Sequence, residues 1–397
     1  MNRTEGPMSR GQLKLYWLAV LFFSANAILT VILPLQGDAM GMRQGEIGLM
    51  MGGYMFTCML LRPWAGQMIV KHGAAKLMRG LVLIHAGCLV AYMFAESGSL
   101  LPLLALRALQ GGITAFFSMI MQLALVERLA AGDRAQGMSL YTLSTMLPQL
   151  VTPILAFAVW RSGEWLHFIL MMAVLAAATV VAGYAAPLPK KAVKGDILSF
   201  LELLKSFSQL WQNRNLLVCS IIMLVVSCVY GTVLTFIPLY TDRTGVGDAS
   251  LYLILQGLAV VVCRFSLRKR LPSDGRWHPR FITCLLLSAA LGSQLLAWLD
   301  AAEWFLYAAA LCNGLAIALI YPTLVTYLTF VLPSQRRALL LGLFISSYDI
   351  GFSVGGLLMG VLAQYISYSG MFTWCSVSCL AAVSILFSYR KEMKTIA

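Results

Sequence analysis

Charged side chains are scarce in this sequence. They make up 11% of the 397 residues, whereas soluble domains carry roughly a quarter. Hydrophobic residues make up 60%, and the mean hydropathy is +0.81. A water-soluble fold of this length could not bury so much apolar surface. The composition therefore excludes a soluble globular protein and predicts a lipid bilayer as its environment.

Histidine is also scarce, and the cysteines form no metal-binding pattern. The four histidines, His72, His85, His167 and His278, lie in separate segments, and none of the nine cysteines forms a Cys-x-x-Cys pair. The sequence contains neither the Gly-Lys-Ser/Thr phosphate-binding loop of ATP-driven proteins nor a His-Glu-x-x-His motif. We therefore expect no enzyme activity, no metal site and no cofactor, and an energy source other than ATP.

Long apolar segments account for most of the chain. A membrane-spanning helix needs about 20 mostly apolar residues, and its backbone groups must be hydrogen-bonded within the segment. The first segment, from Leu13, is too long for a signal peptide and lacks a cleavage site, so we expect it to be retained. Twelve segments qualify: 12–36, 46–70, 76–95, 98–129, 134–160, 164–186, 213–240, 249–267, 278–300, 303–331, 336–364 and 369–390. The sequence predicts an all-α membrane protein with twelve transmembrane helices.

The basic residues are distributed unevenly between the two sides of these spans. Only Arg43, Arg161 and Arg243 fall in the odd-numbered loops, whereas the even-numbered loops and both ends of the chain are rich in Lys and Arg. The positive-inside rule then places both termini in the cytoplasm of a multi-pass cell-membrane protein. The net charge of +13 is explained by this topology, so we expect no binding to nucleic acid.

The chain divides into two similar halves. A polar stretch with an amphipathic pattern separates residues 1–186 from residues 213–397, and this linker, 187–212, is either an interfacial helix or a plain connection. Three sets of residues recur at offsets of 202 to 204: Ile32-Leu33-Pro34-Leu35 with Phe236-Ile237-Pro238-Leu239, Arg62 and Gly73 with Arg264 and Gly275, and Arg134-Ala135 with Arg337-Ala338. The repeat predicts two pseudo-symmetric six-helix bundles, an architecture of secondary transporters.

Several of these segments resemble the motifs of the major facilitator superfamily. The stretch Gly66–Gly73 is similar to that family's loop signature after span two, and Arg107-Ala108-Leu109-Gln110-Gly111-Gly112 is similar to its span-four motif in proton-coupled antiporters of drugs and metabolites. Residues Tyr54–Met59 and Arg62–Gln67 resemble exporters of opine metallophores of the staphylopine type. One departure is Val70, where the loop signature usually carries an aspartate.

The resemblance implies a fold and a mode of action. The fold would be that of the superfamily, and the protein would be a monomeric secondary transporter that exports a small organic molecule in exchange for protons by alternating access. An importer or symporter of a small metabolite is the alternative within transport. A membrane receptor or an enzyme is the alternative from another class, but a receptor rarely shows a six-plus-six repeat.

Placing a polar residue within a span costs free energy in lipid, so polar residues in spans are candidates for function. On span four, Arg107, Gln110, Thr114, Ser118 and Gln122 fall within about 120° of arc, which predicts a cavity-lining face. Arg107 is a permanent cation that could attract an anionic substrate group or keep a neighbouring carboxyl ionised. Alternatively, Gln110 and helix-end carbonyls hold it in a structural role.

Further candidates lie on other spans. Asn26 and Thr30 share a face of span one and could be faced by Asn313, and Tyr54 and Tyr348 could contact substrate; for each of them, helix packing is the competing interpretation. A second group could act in gating or ion pairing: Arg62, Arg264, Gly66 and Gly73. For the two arginines, extension of the side chain to the headgroups is the competing interpretation.

Proton coupling requires a titratable group within the membrane. Asp349 is the one acid that lies deep in a span. It is either the proton carrier or half of an ion pair with Arg62, because the resemblance implies that spans two and eleven, which carry the two residues, meet at the interface between the halves. Burial favours a neutral carboxyl, whereas a nearby arginine favours the ionised form. His85, in the middle of span three, is a further candidate, although a histidine at such a position is more often part of the core. Arg107 could assist either group.

Overall fold

The computed structural model describes residues 6–94, 99–129, 133–188, 212–267, 272, 275–333 and 337–389. The predicted linker 187–212 lies almost entirely outside this part of the chain. Twelve long helices make up the described part: α1 (Arg10–Ala39), α2 (Gln44–His72), α3 (Ala74–Met93), α4 (Leu100–Arg128), α5 (Arg134–Ser162), α6 (Trp165–Ala185), α7 (Arg214–Thr244), α8 (Ala249–Ser266), α9 (Pro279–Ala297), α10 (Trp304–Val331), α11 (Arg337–Tyr365) and α12 (Tyr368–Ser388).

The helices have the length and surface of membrane spans. They contain 18 to 31 residues, which corresponds to roughly 27 to 47 Å at 1.5 Å per residue. Over the residues that the structure describes, eleven of the twelve are also long and apolar enough to cross a bilayer, and the described part of α2 is not among them. Large apolar side chains such as Val174, Val181 and Trp374 are exposed along the helices, as lipid-facing residues are. The prediction of an all-α membrane protein with twelve helices is confirmed.

Local sequence signals explain where several helices begin. Ser9, Asn213, Asp248 and Ser367 precede α1, α7, α8 and α12, and each accepts a hydrogen bond from a backbone N–H of the first turn. Such caps satisfy donors that have no partner within the helix.

The described residues divide into two compact units. The first consists of Met1–Gly41 and Phe56–Phe200, and the second consists of Met42–Met55 and Leu201–Ala397. In the first unit α1 packs on α5 and α3 on α6, and in the second unit α7 packs on α11 and α9 on α12. The packing of the first helices is therefore repeated six helices later, as the internal repeat predicts.

The repeat also extends to backbone conformation. Gly41 and Gly245, which are 204 residues apart, have φ angles of 78° and 66°, and Gly73 and Gly275 have φ angles of 81° and 70°. Positive φ values strongly favour glycine. Glycines with positive φ therefore recur at equivalent places of the two halves.

The first half of α2 belongs to the second unit because it packs against α11. A Cβ added at Gly48 or Gly52 would overlap the carbonyl oxygen of Gly356 or Ser353, respectively. The N-terminal end of this segment is held by Gln44. With its amide oxygen towards Arg243, Gln44 accepts from both Nη atoms at 2.6 and 3.2 Å, and it donates to the Tyr368 hydroxyl at 2.8 Å.

Candidate functional site

A buried arginine lies at the centre of the first unit. Arg107 on α4 is 1% exposed. Its Nη1 donates to Oδ1 of Asn26 at 3.2 Å and to Oε1 of Gln110 at 2.9 Å, and its Nη2 donates to Oγ1 of Thr30 at 3.4 Å. The Tyr92 hydroxyl donates to the same Gln110 oxygen at 3.3 Å. The structure thus joins four of the residues that the sequence singles out and adds Tyr92.

The partners named above are neutral, so they solvate the guanidinium without cancelling its charge. A cation held in a low-dielectric medium attracts anions strongly. Fixed hydrogen bonds also orient the planar fork, which matches a carboxylate. This arrangement suits the recognition of an anionic group.

The polar face of α4 changes in burial along its length. Gln110 and Thr114 are buried, Ser118 is half-buried and Gln122 is exposed. Thr114 and Ser118 donate to backbone carbonyls of their own helix, Gln110 O at 3.0 Å and Ala115 O at 3.1 Å. Their hydroxyls are thereby satisfied within α4.

A second arginine centre lies in the second unit. Arg264 near the end of α8 is half-buried, and its Nε donates to the Ala318 carbonyl at 3.3 Å, close to the middle of α10. It interacts electrostatically with the phenols of Tyr230, Tyr321 and Tyr348 on α7, α10 and α11. All three tyrosines are half-buried.

Two buried amides adjoin this centre. The Asn313 Nδ2 donates to the Tyr252 hydroxyl at 3.0 Å. Gln256 and Asn313 line a small cavity of about 10 Å³ together with Tyr230, which is room for roughly one water molecule. Among the described residues, the Gln256 Nε2 and the Asn313 Oδ1 have no hydrogen-bond partner. A donor and an acceptor therefore remain available beside one cavity.

Asp349 lies on α11 and is 2% exposed. It is adjacent to Tyr348, with which it interacts electrostatically. The proposed partner Arg62 belongs to the other unit. There its Nη2 contacts the Cys58 Sγ at 3.5 Å, and it interacts electrostatically with the phenol of Tyr141. The roles of Asp349 and Arg62 stay predictions.

One stretch of α11 matches the Gly-x-Ser-x-Gly motif of hydrolases in sequence but not in structure: Gly351-Phe352-Ser353-Val354-Gly355. In those enzymes the serine sits on a sharp strand-to-helix turn. Here the stretch lies inside α11, and the Ser353 hydroxyl donates to the Asp349 carbonyl at 3.0 Å. It is therefore a piece of helix with a back-bonded serine.

The other candidates occupy less polar surroundings. His85 on α3 is fully buried with its ring 4.4 Å from that of Phe22, and neither ring nitrogen has a hydrogen-bond partner in the described part of the chain. Tyr54 on α2 is 4% exposed. Gly66 lies within α2, and Gly73, which has a positive φ of 81°, directly precedes α3.

Sequence reasoning missed Tyr92, Tyr230, Tyr321 and Gln256. Tyrosine is common as a packing residue, so its position within a span does not reveal whether the hydroxyl meets a polar group. Gln256 could have been predicted as a candidate from the sequence, because burying an amide side chain within a span costs free energy in lipid.

Comparison with known proteins agrees with the architecture. The model of the Major Facilitator Superfamily matches residues 15–277 and 273–395. The staphylopine export protein of Staphylococcus aureus is 38% identical over 393 residues, which is 98% of each chain. The MFS-type transporter YhhS of Escherichia coli is 24% identical and covers 96% of this chain and 94% of its own.

Solved structures share the fold. The crystal structure of the nucleoside transporter NupG covers 96% of this chain and 100% of its own with a TM-score of 0.76, at 14% sequence identity. Because the family model spans most of the sequence and one relative is 38% identical over 98% of it, the chain belongs to the major facilitator superfamily and is a multi-pass membrane transporter.

Proposed function

We propose that this transporter exports an opine metallophore of the staphylopine type in exchange for protons. The observation that carries the proposal is the 38% identity with the staphylopine export protein over 98% of both chains. Opines carry carboxylates on both sides of a secondary amine. A fully buried arginine in the first unit, Arg107, and a half-buried arginine in the second unit, Arg264, suit such an anionic molecule.

The proposal includes a topology and a working unit. Both termini lie in the cytoplasm, since basic residues concentrate in the terminal segments and even-numbered loops. One chain acts as a monomer, with a substrate route formed by its own helices. An importer would have the same fold, so the direction of transport has to be measured.

Asp349 is the proposed proton carrier. A buried carboxyl in a span is costly unless it is protonated or paired, and Asp349 is 2% exposed. Binding and release of one proton at this group would couple the proton gradient to transport. The competing role is a structural ion pair with Arg62.

Transport into inside-out vesicles tests the proposed direction and coupling. Their lumen corresponds to the cell exterior, so staphylopine should accumulate in it when the lumen is acidic. A protonophore should abolish this accumulation. Accumulation that is indifferent to the pH gradient would overturn proton coupling. An acidic lumen that drives preloaded staphylopine out would identify an importer.

Asp349→Asn separates the two roles of the carboxyl. If Asp349 is the carrier, the variant should lose accumulation against a gradient while it retains staphylopine exchange at equal pH. If it is a structural partner, the variant should be less stable, and Arg62→Gln in the same chain should restore part of the loss. Normal pH-driven transport and normal stability would exclude both roles.

A further inference from the structure

Helix α2 is shared between the two compact units. Its first part lies in the segment Met42–Met55, which belongs to the second unit, whereas the chain from Phe56 onwards belongs to the first. Alternating access requires the two halves of a transporter to move. A helix with one part in each unit then either bends near Met55 or detaches its first part from the second unit. We call Met42–Met55 the leading segment.

The contact between the leading segment and α11 is made by backbone and small residues. On the leading segment, Gly48 and Gly52 are the closest points, since a Cβ added at either would overlap a carbonyl oxygen of α11. Helices that touch along their backbones interlock few side chains and can separate without large rotamer changes. The facing residues of α11 fall within about 80° of arc: Ser353, Gly356, Gly360 and Gln364.

Polar side chains join the N-terminal end of the leading segment to α7 and α12. The amide oxygen of Gln44 accepts from both Nη atoms of Arg243 at 2.6 and 3.2 Å, and its amide nitrogen donates to the Tyr368 hydroxyl at 2.8 Å. The Arg243 guanidinium also lies 5.7 Å from the centre of the Tyr368 ring. We call these three residues the clasp. They hold the leading segment at the end of the helices that lies opposite the basic loops.

The chemistry of the clasp suits a contact that opens and closes. Gln44 is a neutral acceptor, and Arg243 is exposed, so water can replace the amide at the guanidinium at little cost in free energy. The Tyr368 ring packs on the Tyr240 ring of α7 at 5.3 Å, which keeps it in place when Gln44 leaves. Arg243 is also one of three basic residues in the odd-numbered loops, where the positive-inside rule disfavours them. This favours a specific role for Arg243.

We propose that Gln44, Arg243 and Tyr368 hold the leading segment on α11 in one state of the transport cycle and release it in the other. Arg243 thereby sets the balance between the two states. The leading segment moves away from α11 when the clasp opens, and α2 does not bend near Met55. This device does not depend on which small molecule is transported.

Cysteine labelling measures how often the leading segment leaves α11. Ser353 faces the segment and is 6% exposed, so Ser353→Cys should react with N-ethylmaleimide mainly while the segment is away. The purified full-length chain in detergent, with the exposed Cys284 replaced by serine, is labelled, and peptide mass spectrometry follows position 353. Arg243→Gln should raise the labelling rate by about fivefold, because hydrogen bonds that hold the segment are lost. Tyr368→Phe should raise it by less.

Two controls separate opening of the clasp from general unfolding. Arg161→Gln removes another exposed arginine of the odd-numbered loops, which lies over the Phe157 ring at 5.9 Å, and it should leave the rate at position 353 unchanged. Cys219 on α7 is fully buried and should stay unlabelled in every variant. An unchanged rate at position 353 in Arg243→Gln, or an equal rise at Cys219, would overturn the proposal. If Arg243→Gln does not elute as a folded protein, Tyr368→Phe decides by the same criteria.

A reversible cross-link tests whether the leading segment has to leave α11. A Cβ at Gly45 would lie 3.4 Å from the Val361 Cγ2, which puts the two Cβ atoms within about 5 Å of each other, close to the range for a disulfide. Gly45→Cys combined with Val361→Cys should cross-link on oxidation and stop staphylopine transport in vesicles, and reduction should restore it. Each single variant should transport equally under both conditions. Full transport by the cross-linked protein would show that the segment stays on α11, which would overturn its release.

Failure of the clasp and failure of the proposed function give different results. If the wild type does not transport staphylopine, the export proposal fails, and labelling at position 353 still decides whether the clasp exists. If the wild type transports staphylopine and Arg243→Gln is labelled at the wild-type rate, the clasp fails and the export proposal stands.

Discussion

Individual polar residues in this protein show how a charge is kept in the membrane. Arg107 is 1% exposed, and amide and hydroxyl oxygens of Asn26, Thr30 and Gln110 surround it. These groups replace water as hydrogen-bond acceptors, which lowers the cost of burial. A hydrophobic residue would fill the same space at lower cost, so the charge itself favours a functional role for Arg107 over a structural one.

The variant Arg107→Ala should insert and fold but should lose transport. We expect the rate of staphylopine accumulation to fall by about thirtyfold or more, which corresponds to the roughly 2–5 kcal/mol lost when a buried charged partner is truncated. Arg107→Lys should restore little, because an ammonium cannot reproduce the planar fork. Vesicle transport, normalised to the inserted protein, measures both effects.

The control for this experiment is Arg79→Ala. Arg79 is an exposed arginine of α3 in the same unit, and its guanidinium lies over the Tyr184 ring at 5.8 Å. Its removal should leave transport unchanged. Wild-type rates in Arg107→Ala would remove Arg107 from the mechanism.

The sequence predicted part of this centre at the residue scale. Residues on one helix can be related by their spacing, so Arg107 and Gln110 were placed together, as were Asn26 and Thr30. The contact of Tyr92 with Gln110 depends on how α3 and α4 are aligned in depth and rotation. That alignment is set by packing between helices and is not encoded in the spacing of either segment.

Among the helices, α11 packs closely against its neighbours at its glycines. A Cβ at Gly351 would overlap the Leu224 carbonyl of α7, and one at Gly355 would overlap the Cys228 carbonyl.

Two further glycines of α11 face the first half of α2: a Cβ at Gly356 would lie 3.1 Å from the Gly48 carbonyl oxygen, and one at Gly360 would lie 3.0 Å from the Gly48 Cα. Small residues permit such close approach of helices in membranes. The spacing of four residues within each pair, Gly351 with Gly355 and Gly356 with Gly360, can be read from the sequence, whereas the helices that they contact cannot.

Adding one methyl group tests this packing. Gly355→Ala should destabilise the protein by about 1–3 kcal/mol, because the neighbouring atom is a backbone carbonyl that cannot rotate away. Gly342→Ala on the same helix is the matched control: no atom lies within 4 Å of its added Cβ. It should be neutral or slightly stabilising, since alanine favours a helix over glycine.

Thermal unfolding in detergent, followed by loss of the monodisperse peak, compares the two variants. Gly355→Ala should unfold at a clearly lower temperature than Gly342→Ala. Equal unfolding temperatures would show that α7 and α11 are less closely packed than the structure indicates.

At the scale of the whole molecule, apolar segments predicted the helices well. All twelve predicted spans coincide with helices to within a few residues, because the demand for backbone hydrogen bonding in lipid allows little else. The grouping of Met42–Met55 with the second unit was not predicted. It depends on glycine contacts with α11 and on the contacts of Gln44 with Arg243 and Tyr368, which join segments about 200 or more residues apart.

The orientation of the molecule in the membrane is the remaining prediction. Helices α5 and α6 are joined by a short loop at Glu164, whereas α2 and α3 meet at Gly73 on the side that carries Lys71 and Arg79. The positive-inside rule places Glu164 outside the cell and Arg79 inside. It also places residues 187–212 in the cytoplasm, together with both ends of the chain.

Labelling of single cysteines with a membrane-impermeant maleimide measures this orientation, in a background where the exposed Cys284 is replaced by serine. In intact cells Glu164→Cys should react, and Arg79→Cys and Gly195→Cys should react only after permeabilisation. Because each basic loop is anchored by several charges, we expect no mixture of orientations. Labelling of Gly195→Cys in intact cells would place the linker outside, which would invert the proposed topology and with it the direction of export.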